Sequence, residues 1–425
     1  MMRNRGPQSP SVIGLLDIGT SKVACLVVAF DPRGPSVLSG MATGFRVLGI
    51  GHQRSRGLKA GVITDLDKAE VAVRAAVDQA ESMSGVTLDE VYVSVACGRL
   101  RSETFAANAD IDGGIVADRH IVRILDGARA YAERDGRMLV HMNRVGYRLD
   151  GAPGGRDPRG LAARQLTVDL HTVSCDDGPV RNLMQLVDRC YLGIAGLVVA
   201  PYASALGATS YEERRLGVTV VDIGGGVTSI ALFADGRLIH ADAIPVGGNH
   251  LTYDVARSLR MPLAEAERIK ALYGTLSEAP SDGREAFSYP LAGEEEGSFA
   301  HTTKARLGEI LRPRMASIVG LVGERLDQSG MRTWAGDRVV LTGGASQLVG
   351  AGEFWANLLR CPVRVSRPDA AAALPGSISV PAFSTAIGLV ASVAAGEGLV
   401  AARQGQSVLM QGYLGRVGQW LREGF

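Results

Sequence analysis

The feature that most constrains this chain is an internal repeat. Val12–Phe30 reads VIGLLDIGTSKVACLVVAF and Val218–Asp235 reads VTVVDIGGGVTSIALFAD. Each is an apolar strand, then Asp-Ile-Gly, then a turn of small residues, then a second strand rich in β-branched residues. Asp17 and Asp222 stand about half of the 425-residue chain apart. That spacing predicts two similar halves, each opening with a hairpin whose turn presents an Asp and backbone N–H groups. Two unrelated hairpins are the plain alternative.

The two turns carry a chemical reading. In Asp17-Ile18-Gly19-Thr20-Ser21-Lys22, glycine lets the backbone approach a phosphate, and successive N–H groups form an anion cradle. The Thr20 and Ser21 hydroxyls add donors and Lys22 adds charge. Asp17 would repel a phosphate directly but can hold a hydrated Mg²⁺, which needs few carboxylates. A tight hairpin alone also explains this motif. Asp222-Ile223-Gly224-Gly225-Gly226-Val227-Thr228 is more telling, because three consecutive glycines cost entropy and pack nothing. Two such loops facing across a cleft would clamp a triphosphate and its Mg²⁺, held through Asp17 and Asp222. A third strand runs into Thr342-Gly343-Gly344-Ala345-Ser346, where small residues let a flat base lie on the main chain. Glu267 and Lys270, three apart on one helix face, can hydrogen-bond a ribose or simply form a surface ion pair.

Composition narrows the class. There are 45 basic and 44 acidic residues, a net charge of +1, which argues against nucleic acid as a partner. Arg outnumbers Lys 40 to 5, so a Lys inside a phosphate motif is notable. The five cysteines are scattered with no disulfide or zinc spacing, which favours a reducing cytoplasm, and the N-terminus lacks the apolar core of a secretory signal. Ala370–Gly396 carries no charge and is long enough to cross a bilayer. Its Pro375, Pro381 and Ala-rich content instead predict a buried helix over about Pro381–Ala395.

Pattern and punctuation predict further helices at Asp65–Ser82, His120–Arg134, Val180–Tyr191, Asn249–Leu259, Leu263–Tyr273 and Thr303–Gln328. Strands are expected at Val91–Ala96, Gln165–Ser174 and Arg338–Leu341, a loop at Gly151–Gly160, and a mobile polar loop over Glu278–Gly297.

The last sixteen residues, MQGYLGRVGQWLREGF, follow a small polar linker at Ala401–Ser407. On a helical wheel Met410, Tyr413, Leu414, Val417, Trp420, Leu421 and Phe425 fall in an arc of roughly 140°, as in an amphipathic helix. Trp and Tyr suit a membrane interface, and Arg416 and Arg422 suit anionic lipid headgroups. Four glycines in this stretch cost about 1 kcal/mol each, so the helix should form only on a surface. A helix docked on the protein's own body is the alternative.

Two phosphate hairpins and a Gly-Gly-Ala-Ser turn, in this order and spacing, resemble the actin-like ATPases over Val12 to Gly396. The resemblance implies a two-lobed α/β actin-like ATPase fold, a duplicated ribonuclease-H-like core, binding ATP and Mg²⁺. PAFSTAIGLVASVAAG looks like that superfamily's C-terminal connecting helix. Within it, LGVTVVDIGGG, IPVGGNHLTYDVA and DPRGLAARQLTVDLHTVSC resemble the FtsA family of bacterial cell-division proteins, the last lying in an inserted subdomain. The expected division is 12–88 and 166–208 with 376–396 for the first lobe, and 89–165 for the insert. The second lobe takes 209–245 and 331–375, its outer part 246–330, the linker 397–409 and the tail 410–425.

That resemblance implies partners: the C-terminal peptide of the tubulin-like FtsZ, other copies of itself in a protofilament, anionic lipids and later division proteins. The place implied is the cytoplasmic face of the inner membrane at the division site. Within GEILRPRMASIV, Arg314 falls where the family has its peptide-contacting Arg, although Arg312 stands where the family has an acid. The hydrolysis machinery also departs. Hsp70-like relatives read E-P-T-A-A-A before the second half, whereas Val199–Ala205 puts Ala200 at the acid position. Losing a placed proton-transfer group typically costs 10²–10⁴-fold, so ATP binding with weak hydrolysis is expected. A PilM-like pilus scaffold would share the fold but less readily carry the tail. A sugar-kinase-type phosphotransferase would need a catalytic Asp that this sequence does not show.

Overall fold

The computed structural model describes residues 11–31, 44–155, 157–294, 298–334, 336–366 and 375–396. The repeat is realised as two five-stranded sheets of one topology. The first runs, in spatial order, Gly193–Val199, Glu90–Val95, Ser11–Ile18, Lys22–Asp31 and Gly44–Arg54. The second runs Val363–Val365, Val339–Thr342, Val218–Ile223, Thr228–Ala234 and Arg237–Ile244. In each, the first three strands in the chain form an antiparallel meander, and two later strands add in parallel beside the first. Asp17 pairs with Ala24 and Asp222 with Ser229, so both acids sit at the turn end of their hairpins.

Strand Lys22–Asp31 is buried from Val23 to Phe30, the mark of a strand covered on both faces. Helix Leu66–Ser84 covers one face; Asp65 caps its start and Gly85, at φ 69°, ends it. In the second sheet the period of two divides the cores. Val218 and Val220 join the first core, whereas Val221 and Ile223 join a separate one with Trp355 and helix Lys304–Ser329.

Between the lobes, helix Ala200–Ala208 crosses the connecting helix Ser384–Ala395 backbone to backbone. A Cβ on Gly388 would fall on the Ala203 carbonyl, and one on Gly207 on the Ser384 carbonyl. The uncharged stretch therefore forms a short turn at Pro381–Phe383 and a buried helix. No described helix is long and apolar enough to cross a membrane.

The insert is a sheet ordered Arg101–Asp110, Gln165–Asp176, Arg137–Leu149 and Ala152–Pro153, with helix Asp118–Ala132 on it and a small core around Ile121, Leu166 and Leu170. Sheet membership moves the expected boundaries. Glu90–Val95 belongs to the first lobe and Gln165–Asp176 to the insert, so the division falls nearer 97 and 176 than 89 and 165. Arg137 fastens the neck, bonding the Asp176 carboxylate at 2.8 Å and the Ser174 and Arg99 carbonyls at 2.7 Å each.

The outer part of the second lobe holds helices Gly248–Leu259, Leu263–Tyr273 and Lys304–Ser329. One expectation is corrected there. Glu278–Gly297 is not all loop: Ala286–Pro290 pairs with Phe299–Thr303. Buried Tyr289, and Phe287 stacked on Tyr273 at 4.4 Å, provide the apolar contacts that the polar composition masked. The linker 397–409 and the tail 410–425 lie outside the described residues.

The crossing generates a paired prediction. Gly388→Ala should destabilise by about 2 kcal/mol or more, the range for forced overpacking. Gly127→Ala, in open space on helix Asp118–Ala132, should stabilise by about 1 kcal/mol. Urea denaturation of both variants checks the pair.

Candidate functional site

The two hairpin turns meet. A Cβ on Gly225 would lie 2.8 Å from the Ser21 hydroxyl, and one on Gly226 would lie 2.7 Å from that of Thr20. The glycine triplet is thus explained by packing as well as by approach to a ligand. Each turn is closed by its own bond, Gly19 N–H to the Lys22 carbonyl and Gly224 N–H to the Val227 carbonyl, both 2.9 Å. The backbone N–H groups of Thr20, Ser21, Gly225 and Gly226 are not spent on hydrogen bonds among the described residues. Behind the second turn, Gly248 and Asn249 donate to the Gly224 and Gly225 carbonyls at 2.8 and 2.7 Å, fixing it to a helix start.

The turns floor a cleft of ≈ 490 Å³. Asp17, Gly19, Thr20, Ser21, Lys22, Asp222, Gly224, Gly225 and Gly226 line it from the two hairpins. Glu267, Lys270, Gly343, Gly344 and Ala345 line its far wall. Two expected residues stand behind the surface instead. Thr228 donates to the Val246 carbonyl at 2.7 Å, and Ser346 donates to the Gly343 carbonyl at 2.7 Å, each bracing a turn. Ala200 also lines the cleft; the carboxylates among the described lining residues are Asp17, Asp222 and Glu267.

Lys270 is no surface partner. It is buried, and its ammonium donates to Glu267 at 2.7 Å, Thr252 at 2.8 Å and the Gly248 carbonyl at 3.1 Å. Glu267 keeps its side chain half exposed toward the cleft. Gly343, at φ 84°, lies so close to the Asp222 carboxylate that a Cβ would collide with it.

The electrostatics are unbalanced. Burial pushes the Asp17 carboxyl upward, against a 2.6 Å bond from Ser94 and the charge of Lys22. Burial and then the Asp17 charge push Asp222 up to about 6, against Thr385, Lys22 and Ser204. Burial lowers Lys22 to about 8 despite both carboxylates. Two half-buried acids thus share one ammonium, which itself donates to the Ala382 carbonyl and lies 3.3 Å over the Phe383 ring. A divalent cation supplies the charge this set lacks, and the unspent N–H groups suit phosphate oxygens, so the residues fit Mg–ATP. Thr385, Ser94 and Ser204 escaped the sequence reading, because a hydroxyl in a small-residue helix or strand carries no local signal. Arg314 lies outside the cleft, on helix Lys304–Ser329, gripping Asp254 at 2.7 and 3.2 Å.

Comparison with known proteins decides the lineage. The family described as "Cell division protein FtsA" matches residues 219–388, and "SHS2 domain inserted in FTSA" matches 97–174. The cell division protein FtsA of Rhizobium meliloti (strain 1021) is 40% identical over 97% of this chain and 95% of its own. The chain belongs to the FtsA family. The Escherichia coli (strain K12) member of the family is 30% identical, over 97% of this chain and 98% of its own. Among solved structures, a chain of the PilM-PilN type IV pilus biogenesis complex superposes with a TM-score of 0.63 at 16% identity, covering 89% of this chain and 97% of that one. MreB5 of Spiroplasma citri bound to ADP gives 0.51 at 14% identity, covering 90% and 95%. Both likenesses establish the actin-like fold, and the family models and full-length relatives set the chain in FtsA within it.

The charge imbalance is measurable. An acid whose folded pKa is raised binds protons more readily when folded, so its charge destabilises the fold as pH rises through that window. Asp222→Asn should therefore stabilise the ligand-free protein by up to about 3 kcal/mol at pH 7, at about 1.4 kcal/mol per unit, and little at pH 4. Urea titrations of both forms at the two pH values test this.

Proposed function

We infer that this chain binds Mg–ATP between its lobes, assembles with copies of itself, and tethers FtsZ filaments to the cytoplasmic face of the inner membrane. The observation that carries the nucleotide reading is the meeting of Thr20–Ser21 with Gly225–Gly226 over two half-buried carboxylates that line the cleft. Gly19 to Lys22 and Gly224 to Gly226 would hold the phosphates, Asp17 and Asp222 the hydrated metal. Glu267 and Lys270 would face the ribose, and Gly343 to Ala345 the base. Bound Mg²⁺ would neutralise phosphate charge. Ala200 stands where Hsp70-like proteins carry an acid and offers no base, which supports slow turnover, with nucleotide acting as an assembly ligand. Phosphate release at the pace of an efficient kinase would refute this.

Membership of the FtsA family supports FtsZ and later division proteins as partners. For the FtsZ tail peptide, Arg314 must share its guanidinium with Asp254 or trade partners. Arg312 is engaged elsewhere, 3.3 Å from Glu278, so its departure from the family pattern leaves the Arg314 grip intact. Arg314→Glu would set two acids side by side and should weaken binding of an FtsZ C-terminal peptide about tenfold, read by fluorescence anisotropy.

The tail supports peripheral membrane attachment through its apolar arc and arginines. Co-sedimentation with FtsZ and anionic vesicles, with and without Mg–ATP, tests the whole scheme. Deleting Met410–Phe425 should leave the protein in the supernatant with vesicles alone; persistent pelleting would remove the tail from the mechanism.

A further inference from the structure

The insert touches the second lobe through a closed ring of hydrogen bonds. It ends on both sides at backbone groups of strand Arg237–Ile244, the Ala241 N–H and the Leu238 carbonyl. The Ala241 N–H can only donate, and it donates to Ser102 Oγ at 3.1 Å. The Ser102 hydroxyl then donates to His171 Nε2 at 2.7 Å. His171 Nδ1–H donates to Asn143 Oδ1 at 3.0 Å, and Asn143 Nδ2 donates to the Leu238 carbonyl at 3.1 Å. His141 Nε2 joins the same Asn143 oxygen at 3.1 Å. The Leu238 carbonyl can only accept, which fixes the Asn143 amide and, through its oxygen, the Nδ1–H tautomer of a neutral His171. The histidines and the strand residues of the ring are buried, with His171 0% and His141 1% exposed, while Ser102 and Asn143 are half-buried. Burial keeps both imidazoles neutral, so His171 retains the lone pair that accepts from Ser102. Arg237 adds a bond from the same strand to the Val145 carbonyl of the insert.

The strand held this way leads directly to the nucleotide cleft. It ends at Ile244, which pairs with Thr228. Two residues on, the Val246 carbonyl accepts from Thr228 Oγ1, and Gly248 and Asn249 then donate to the carbonyls of Gly224 and Gly225. Continuous backbone thus joins the ring to the brace behind the glycine turn, with three residues between the end of the strand and the start of helix Gly248–Leu259. Carbonyl positions in that turn set where its free N–H groups point, so a shift of the strand re-aims the cradle.

We propose that Ser102, Asn143 and His171 are positioning residues for the second phosphate turn, acting through strand Arg237–Ile244, so that the insert and the nucleotide each bias the other. The proposal rests on the nucleotide reading given above. Coupling between two sites is reciprocal, so nucleotide must also tighten the ring.

The test uses the full chain. Affinity for a fluorescent ATP analogue with Mg²⁺ is measured for wild type, Asn143→Ala, Ser102→Ala and Arg148→Ala. Arg148 bonds Asp169 within the insert and serves as the control. Asn143→Ala should weaken binding by about five- to twenty-fold, within the usual range of site-to-site coupling, and Arg148→Ala should leave it unchanged. Hydrogen exchange on wild type needs no variant: Mg–ATP should slow exchange at Ala241 and over 165–176. Wild-type binding with unchanged affinity in the Asn143 and Ser102 variants, or with unchanged exchange at the ring, overturns the proposal. If wild type fails to bind Mg–ATP at all, the nucleotide reading falls and takes this inference with it.

Discussion

The structure depends on a contact between two turns from opposite halves of the chain. Thr20 and Ser21 occupy the space that side chains at 225 and 226 would need. This makes the cleft a property of the assembled pair, since neither hairpin alone has both a floor and a facing wall. It also explains why the second turn is the more glycine-rich. The first turn brings the side chains, and the second yields room for them. An exchange of roles would have to change both turns together, so the contact ties positions far apart in sequence into one unit.

The same contact sets up a conflict that the rest of the molecule manages. Asp17 and Asp222 are half-buried and near enough to influence each other, with Lys22 as their shared counter-charge. Each has a hydroxyl partner from a neighbouring element, Ser94 for Asp17 and Thr385 for Asp222, the latter at 3.1 Å. Thr385 and the Lys22 acceptor Ala382 both flank the start of the connecting helix. The cleft's charge is therefore balanced in part by the element whose Gly388 crosses the interlobe helix. Carboxylates held with so little counter-charge work against local stability, a cost that a bound cation would offset.

Much of this was legible in the sequence, for identifiable reasons. The duplicated hairpins were readable because the strand period and the Asp-Ile-Gly turn recur at half the chain's length, and helix Leu263–Tyr273 appears with the bounds its pattern implies. Long-range facts were not readable. No local pattern tells Lys270 that it will be buried against Gly248 and Thr252, or gives Arg314 its partner sixty residues away. The insert's boundaries slipped because a strand entering a sheet and one leaving it look alike in composition. Ala286–Pro290 was hidden because a short exposed hairpin needs only two aromatic anchors, Phe287 and Tyr289, in an otherwise polar stretch.

The proposed parts of the mechanism constrain one another. A short amphipathic tail rich in glycine makes a weak, reversible anchor, so membrane residence must come from the number of tails joined together. Joined tails require copies that stay assembled for longer than one tail stays bound. A cleft that held nucleotide without a placed base at Ala200 would suit that requirement, because a slowly hydrolysed ligand would let the assembly outlast the release of single tails. A fast ATPase with the same tail would sever its own links before multivalency could act. On the proposed function, the weak anchor and the alanine at position 200 would be one solution, in which slow chemistry in the cleft would allow many feeble membrane contacts to add up.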